Sequence, residues 1–313
     1  MNFINGYIDV LQKAYHVLRC TQNDHSSEPQ PFWLDFPQSL MHMIRMNNYY
    51  RTEFLYISTA IIVLSLIRHL IFDVFCQILI SNEIVLEKNR NKFCKDFWNF
   101  MFRTPIVLFA WHIANETKTM ENMENIHFKI QILYLICTSE YIYSTCLLIF
   151  GYNQDKDTPV WIIHHSIAIL LLFFSYSLRL NSLFVSSIYM LEVTDIFLFA
   201  KFFTKIQIHL IQKHIIQLRI SNFIIALMVW CWSRYYLYPL IFSKEAVEHF
   251  LQICHLKHGS IYLFLCGLGI FIHMTNIYWT FTLVRITMIL VRKGISTNIE
   301  DSREFDYDEK KIQ

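Results

Sequence analysis

The 313-residue chain contains little glycine and proline, six of each, and its formal net charge is only +2. With 54% hydrophobic and 16% aromatic residues, this composition lies outside the usual range of soluble domains and indicates a polytopic membrane protein. The basic residues fall in short loop clusters, so the chain has no nucleic-acid-binding footprint, and no nucleic-acid partner is expected.

Two further absences concern processing and cross-linking. The eight cysteines contain no C-x-x-C pair, and those inside apolar runs are most simply packing residues. The N-terminal stretch MNFINGYIDVLQKAYHVLRC lacks a charged region followed by a continuous apolar core, unlike a cleaved signal peptide. We expect it to form an amphipathic surface helix instead.

Long apolar runs are what the chain does contain, and about twenty such residues cross a bilayer as a helix. Seven runs approach this length, at residues 54–72, 97–113, 130–150, 160–178, 183–203, 220–242 and 261–291. The second carries Arg103 and Pro105 and the sixth carries Arg234 and Pro239, so both are expected to be kinked or partly wet. The sequence therefore predicts an all-α membrane protein with about seven transmembrane helices.

An odd number of spans places the two termini on opposite sides of the membrane. Loops and tail on the C-terminal side hold about thirteen basic residues against about nine on the other, which favours a luminal N-terminus and a cytosolic C-terminus. Asn115 begins a glycosylation sequon on the predicted luminal side, very close to the membrane. The ending EKKIQ places Lys310 and Lys311 as in the dilysine signal of endoplasmic-reticulum membrane proteins.

These features divide the chain into three predicted parts. Residues 1–53 form a luminal segment with the amphipathic helix, and residues 54–291 form the transmembrane domain. Residues 292–313 form an acidic cytosolic tail that ends in the dilysine. The predicted location is the endoplasmic-reticulum membrane.

Ionisable residues interrupt the fourth and fifth apolar runs: the adjacent His164 and His165, then Glu192 and Asp195. The runs are joined by a very short turn, which predicts an antiparallel hairpin. Reflection about residue 180 sets His165 level with Asp195 and Ala168 level with Glu192, and the i, i+3 spacing puts both carboxylates on one helix face. Charged residues at a common depth in a membrane predict a functional site.

The chemistry open to such a site depends on its depth, one turn or so inside the predicted cytosolic face. An imidazole there can attack a thioester or remove a proton from an attacking amine, and a neighbouring carboxylate can fix its tautomer. A buried polar clamp between two helices is the alternative. The other close histidine pairs are His209 with His214 and, on the predicted luminal side, His255 with His258, so no shared metal site is expected.

The stretch WIIHHSIAILLLFFSYSLRLNSLFVSSIYMLEVTDIFLFAKFF resembles the Lag motif of the ceramide synthases, in the TLC family of multi-pass membrane proteins. NKFCKDFWNFMF, LSLIRHLIFDVF, HMTNIYWTFTLVRITMILV and the tail EDSREFDYDE are similar to further parts of that family. The likeness covers roughly residues 64–309. It implies a TLC-type helical bundle that encloses a cavity, with a core from about residue 92.

The resemblance also implies an activity, the transfer of a fatty acyl group from acyl-CoA to the amine of a sphingoid base to give ceramide or dihydroceramide. Acyl-CoA would be a co-substrate, with no permanently bound cofactor. His164 and His165 match the catalytic pair, Asp195 matches the second acid as orienter of an imidazole, and Glu192 stands where the first Asp is usual. The implied partners are acyl-CoA, the sphingoid base and the bilayer, and a homo- or hetero-dimer is left open.

Two departures from the family pattern support a rival hypothesis. Leu191 replaces a histidine before the acidic cluster, and Lys201 arrives one residue early. The rival is a catalytically weak or silent TLC protein that binds or senses lipid or associates with the translocon. A seven-span receptor explains neither the histidine pair nor the short hairpin.

Overall fold

The structure, a computed structural model, describes residues 36–38, 40–41, 50–119, 123–150, 157–178, 180–241 and 259–293. Nearly all of these residues lie in helices, which confirms the all-α prediction. Within these ranges, strand-like pairing is limited to one antiparallel bridge between Val85 and Ile206. The predicted amphipathic helix, the 242–258 loop and the dilysine lie outside the described residues, and the three-part division of the chain stays a prediction.

The helices follow one another with short connections. They are α1 (Tyr50–Leu66), α2 (Asp73–Ser81), α3 (Arg90–Thr119), α4 (Met123–Ile149), α5 (Thr158–Ser177), α6 (Asn181–Phe199), α7 (His209–Lys213), α8 (Ile215–Trp230), α9 (Tyr238–Ile241) and α10 (Gly259–Lys293). Two π-helical turns make longer units: Ile67–Phe72 joins α1 to α2, and Cys231–Leu237 joins α8 to α9. A 3-10 segment, Ala200–Lys205, follows α6.

Six helical segments in the described part of the chain are long and apolar enough to cross a membrane. They are Thr52–Ser81, His127–Ile149, Thr158–Ser177, Leu183–Lys205, Ile215–Ile241 and Leu263–Ile289, and they correspond to six of the seven predicted spans. The remaining predicted span, 97–113, lies in α3, which is a single helix of 30 residues but is more polar. The count of seven therefore stays a prediction.

The largest core forms where α3, α4, α5 and α6 meet. Its buried residues are Ile106, Ala110, Ile113, Ile130, Leu133, Tyr134, Cys137, Tyr141, Leu172, Phe184, Val185 and Ile188. Helix α6 makes its most extensive contact with α3 and also packs against α5 and α8. The polar residues of α6 therefore face protein rather than lipid.

The α5–α6 hairpin has the predicted form. Helix α5 ends at Ser177 and α6 begins at Asn181, so three residues separate them. The contact between α5 and α6 is smaller than that between α3 and α6. Side chains of α6 are consequently shared between the histidine helix and α3.

The expectation that the second and sixth spans are partly wet around their arginines is wrong. Arg103 and Arg234 are 5% and 4% exposed, because both guanidiniums pair with carboxylates inside the bundle. Pro239 lies just after the π-helical turn that contains Arg234. Since proline has no N–H, the carbonyl one turn earlier cannot make its usual helical bond, and the helix is irregular there.

Candidate active site

All four predicted site residues are in the interior of the bundle. His164 and His165 are 6% and 3% exposed, and Glu192 and Asp195 are 2% and 9% exposed. The histidines come from α5 and the carboxylates from α6. Asp195 therefore points into the protein, as the hairpin argument requires.

Tyr141 of α4 connects a histidine to a carboxylate. Its hydroxyl donates to Glu192 Oε1 over 2.6 Å, and its ring meets the His165 imidazole edge-on with centroids 5.3 Å apart. The Arg103 guanidinium lies over the same ring, 5.5 Å from its centroid. His165 and Glu192 thus lie on opposite sides of an aromatic ring.

Arg103 of α3 neutralises carboxylates from two other helices. One of its terminal nitrogens donates to Glu192, and the other donates to Glu140 Oε1 of α4 over 3.3 Å. Its Nη1 also lies 3.7 Å from Asp195 Oδ2. Because a guanidinium stays charged and presents several donors in one plane, it can hold three carboxylates in a fixed arrangement.

Arg234 completes the charged cluster from the opposite side. Its Nη2 lies 3.5 Å from Asp195 Oδ1 and donates to the Leu191 carbonyl over 2.6 Å, and its Nη1 donates to Asn276 Oδ1 of α10 over 3.2 Å. Leu191 therefore contributes to the site through its backbone carbonyl. That contact does not depend on the side chain at this position.

The printed partners of Asp195 are arginines, not histidines. Among the described residues, Asp195 makes no hydrogen bond to His164 or His165. Two permanently charged guanidiniums are stronger partners for a buried carboxylate than a neutral imidazole is. The role of Asp195 as direct orienter of a histidine stays a prediction without a contact to support it.

The partner of His164 is instead Thr275 of α10. His164 Nδ1 lies 3.2 Å from Thr275 Oγ1, and the Thr275 hydroxyl donates to the Ile272 carbonyl over 2.8 Å. A hydroxyl has a single hydrogen, so Thr275 must accept from His164 Nδ1–H. The lone pair of the neutral imidazole is then on Nε2, where it can act as a base or a nucleophile.

Two tryptophans enclose the histidine pair on its apolar side. The Trp279 ring is 4.8 Å from the His164 ring and 4.5 Å from the Trp161 ring, between centroids. Trp161 also lies 5.7 Å from the His165 ring. His165 Nδ1 has no hydrogen-bond partner among the described residues, so His164 is the better fixed of the two imidazoles.

Several residues of this cluster were not among the sequence predictions. Arg103, Arg234 and Glu140 each interrupt an apolar run, which by itself indicates a functional position in a membrane protein. Tyr141 and Thr275 have no comparable signal, because tyrosine and threonine are common in membrane helices. Their roles become visible only from the packing of α4 and α10 against α5.

The other histidine pairs do not approach this cluster in the described residues. His209 and His214 are exposed beside α7, and His255 and His258 lie outside the described ranges. Within those ranges, no group of three or more His, Cys, Asp or Glu side chains is arranged to hold a metal ion. The expectation of a site without metal stays a prediction.

The helical bundle and its buried polar cluster define a polytopic membrane protein with an intramembrane site. Residues 92–285 match the TLC domain; this is more than half of the chain, and the protein therefore belongs to the TLC domain family. The match includes every residue of the cluster described above.

A curated relative points in the same direction. The chain is 26% identical over 188 residues to Ceramide synthase 1 of Mus musculus, an alignment that covers 56% of this chain and 51% of the mouse protein. The chain thus spans about half the length of this relative. The similarity supports a lipid-related function of the TLC type.

Proposed function

We propose that the protein is a ceramide synthase-like acyltransferase, which transfers a fatty acyl group from acyl-CoA to the amine of a sphingoid base. The observation that carries this proposal is the buried His164, whose Nδ1 is bonded to Thr275 and whose Nε2 is left with the lone pair. Membership of the TLC family and the likeness to a ceramide synthase support it.

His164 can serve the reaction in two ways. Its Nε2 can attack the thioester carbonyl to form an acyl-imidazole that the amine then opens, or it can take the proton of an amine that attacks the thioester directly. Both routes need a neutral imidazole with its lone pair on Nε2. His165 packs behind it against Tyr141 and Trp161, and we assign it a supporting role.

The charge of the cluster suits an amine substrate. In the described residues it contains three carboxylates, on Glu140, Glu192 and Asp195, against the two guanidiniums of Arg103 and Arg234. A buried excess of one carboxylate favours the approach of a protonated amine. The amine must then lose a proton before attack, and an adjacent imidazole is a suitable acceptor.

We also propose an endoplasmic-reticulum location, a luminal N-terminus, and access of acyl-CoA from the cytosol. The Gln207 N–H donates to the Ile84 carbonyl over 2.7 Å, so the loops before α3 and after α6 meet at one end of the bundle. Both loops are rich in lysine. Their union supports a cytosolic assignment for that end by the positive-inside rule.

A second candidate function is lipid binding or sensing, or association with the translocon, without catalysis. It is favoured by the leucine at position 191 and by the pairing of both Lag-type acids with arginines. Under this hypothesis the charged cluster would only hold α3, α6 and α8 together. The two candidates differ in whether any amide product forms.

The deciding experiment is expression in microsomes that lack endogenous ceramide synthesis, supplied with labelled sphinganine and a panel of acyl-CoAs. We expect labelled ceramide with at least one chain length. Absence of product with every chain length, for a protein present in normal amount, would contradict the acyltransferase and favour the second candidate. Protein that carries a Leu191→Ala substitution is the matched control, because it retains the carbonyl that binds Arg234.

A further inference from the structure

One face of α10 lies against His164. Thr275 hydrogen-bonds to His164, Asn276 is fully buried, and Trp279 is 5% exposed with its ring 4.8 Å from the His164 ring. Residues three and four apart lie on the same side of a helix, so Trp279 shares a face with both Thr275 and Asn276. This face belongs to the surroundings of the reacting nitrogen.

Two hydrogen-bond donors on this face have no partner. Asn276 Nδ2 and Trp279 Nε1 are buried and make no hydrogen bond with any described residue. The Asn276 amide is oriented by its own oxygen, which accepts from Arg234 Nη1 over 3.2 Å. Leaving a buried donor unsatisfied costs about 1–3 kcal/mol, so two of them beside one imidazole require an explanation.

We propose that Asn276 Nδ2–H and Trp279 Nε1–H are catalytic donors that stabilise the oxyanion formed from the thioester carbonyl. Such donors are unsatisfied in the resting site and become satisfied when negative charge develops on the carbonyl oxygen. The inference rests on the proposed acyltransferase function and assigns two further residues to it. It applies equally to the acyl-imidazole route and to direct attack.

The donors act at one defined point of the reaction. The lone pair of the nucleophile forms a bond to the thioester carbon while the C=O π pair moves to oxygen, where the two N–H groups would hold it. The pair then returns to re-form C=O as the C–S bond breaks and its electrons leave on sulfur. The proton lost by the amine passes through the imidazole to the thiolate, giving an amide and a free CoA thiol.

The test is Trp279→Phe, which removes the N–H and keeps an aromatic ring. We expect kcat to fall about 100-fold with KM changed by less than about threefold, because the oxyanion exists only near the transition state. Trp230→Phe is the matched control. Trp230 is equally buried and belongs to the same apolar cluster, but its N–H is already used in a 2.9 Å bond to Thr280.

Asn276→Asp is a second, independent variant. It retains an oxygen for Arg234 and removes the Nδ2 donor, and we expect a similar fall in kcat. Both variants are compared at equal amounts of protein that elutes as a single species in detergent. If kcat for Trp279→Phe or Asn276→Asp stays within threefold of Trp230→Phe, the oxyanion assignment is overturned.

A thiol-release assay separates this inference from the proposed function. Hydrolysis of an acyl-CoA without any amine also passes through an oxyanion, so release of CoA thiol reports on the donors alone. Thiol release without amide would refute the acyltransferase, and a 100-fold lower release by Trp279→Phe would still support the donors. No release above protein-free micelles and no amide would overturn both.

Discussion

Helix α6 and the unit formed by α1 and α2 are both apolar enough to cross a membrane, yet their charged residues lie in different surroundings. Glu192 and Asp195 of α6 are buried and paired with arginines from α3 and the π-helical turn after α8. His69 and Asp73 of the α1–α2 unit pair with each other, 3.0 Å apart, and are about half exposed.

The difference shows which charges the bundle must hold and which it only tolerates. The most apolar part of the α1–α2 unit has no residue buried by protein, so its pair depends little on its neighbours. Buried charges are costly unless each has a partner, and those of α6 obtain theirs from three other helices. Variants of the two regions should therefore differ in both activity and stability.

The largest expected effect is that of His164→Ala. We expect amide formation to fall by at least about 1,000-fold, because both routes require the imidazole, while His165→Ala has a smaller effect. The measurement is initial-rate ceramide synthesis in microsomes at matched protein levels. His69→Ala on the α1–α2 unit is the control and should retain near-normal activity; an equal loss there would remove the distinction between the regions.

Next in size is Arg103→Met, which leaves three buried carboxylates with one guanidinium. We expect the free energy of unfolding to fall by about 3–5 kcal/mol, measured by denaturation of the detergent-solubilised protein. Arg68→Met is the matched control, because the Arg68 guanidinium lies 5.5 Å over the Trp98 ring and a contact of this kind contributes about 0.5–1 kcal/mol. Equal losses for the two variants would contradict the account of the charged cluster.

The sequence could predict the depth of the site better than its contacts. His164, His165, Glu192 and Asp195 were placed together because period, turn length and reflection depend only on positions within one hairpin. Arg103 is 89 residues from Glu192, and Thr275 is 111 residues from His164. Which helices adjoin, and how each is rotated about its axis, depends on packing of the whole bundle.

A smaller effect is expected for Thr275→Val, which removes the hydrogen bond that fixes the His164 tautomer. Loss of such a partner of a functional histidine typically costs about 10–100-fold, and we expect activity to fall within that range. Thr275→Ser should restore most of it, because serine offers the same oxygen. If valine and serine give the same rate, the tautomer argument is wrong.

The smallest effect should come from Tyr176→Phe, where α5 meets the start of α1. The Tyr176 hydroxyl donates to Glu53 Oε1 over 2.9 Å, and Glu53 is the buried acid of α1. We expect about 1–2 kcal/mol of lost stability and normal acyl transfer, since Glu53 is remote from the charged cluster. Reduced kcat without lost stability would show that α1 belongs to the site after all.

The central claim is that His164 transfers an acyl group to an amine inside this bundle. Its most direct measurement is a single-turnover reaction of purified protein with labelled acyl-CoA and sphinganine, run for wild type and His164→Ala in parallel. We predict stoichiometric labelled amide from the wild type and none above background from the variant. Equal amide from both proteins, or none from either, would contradict the claim.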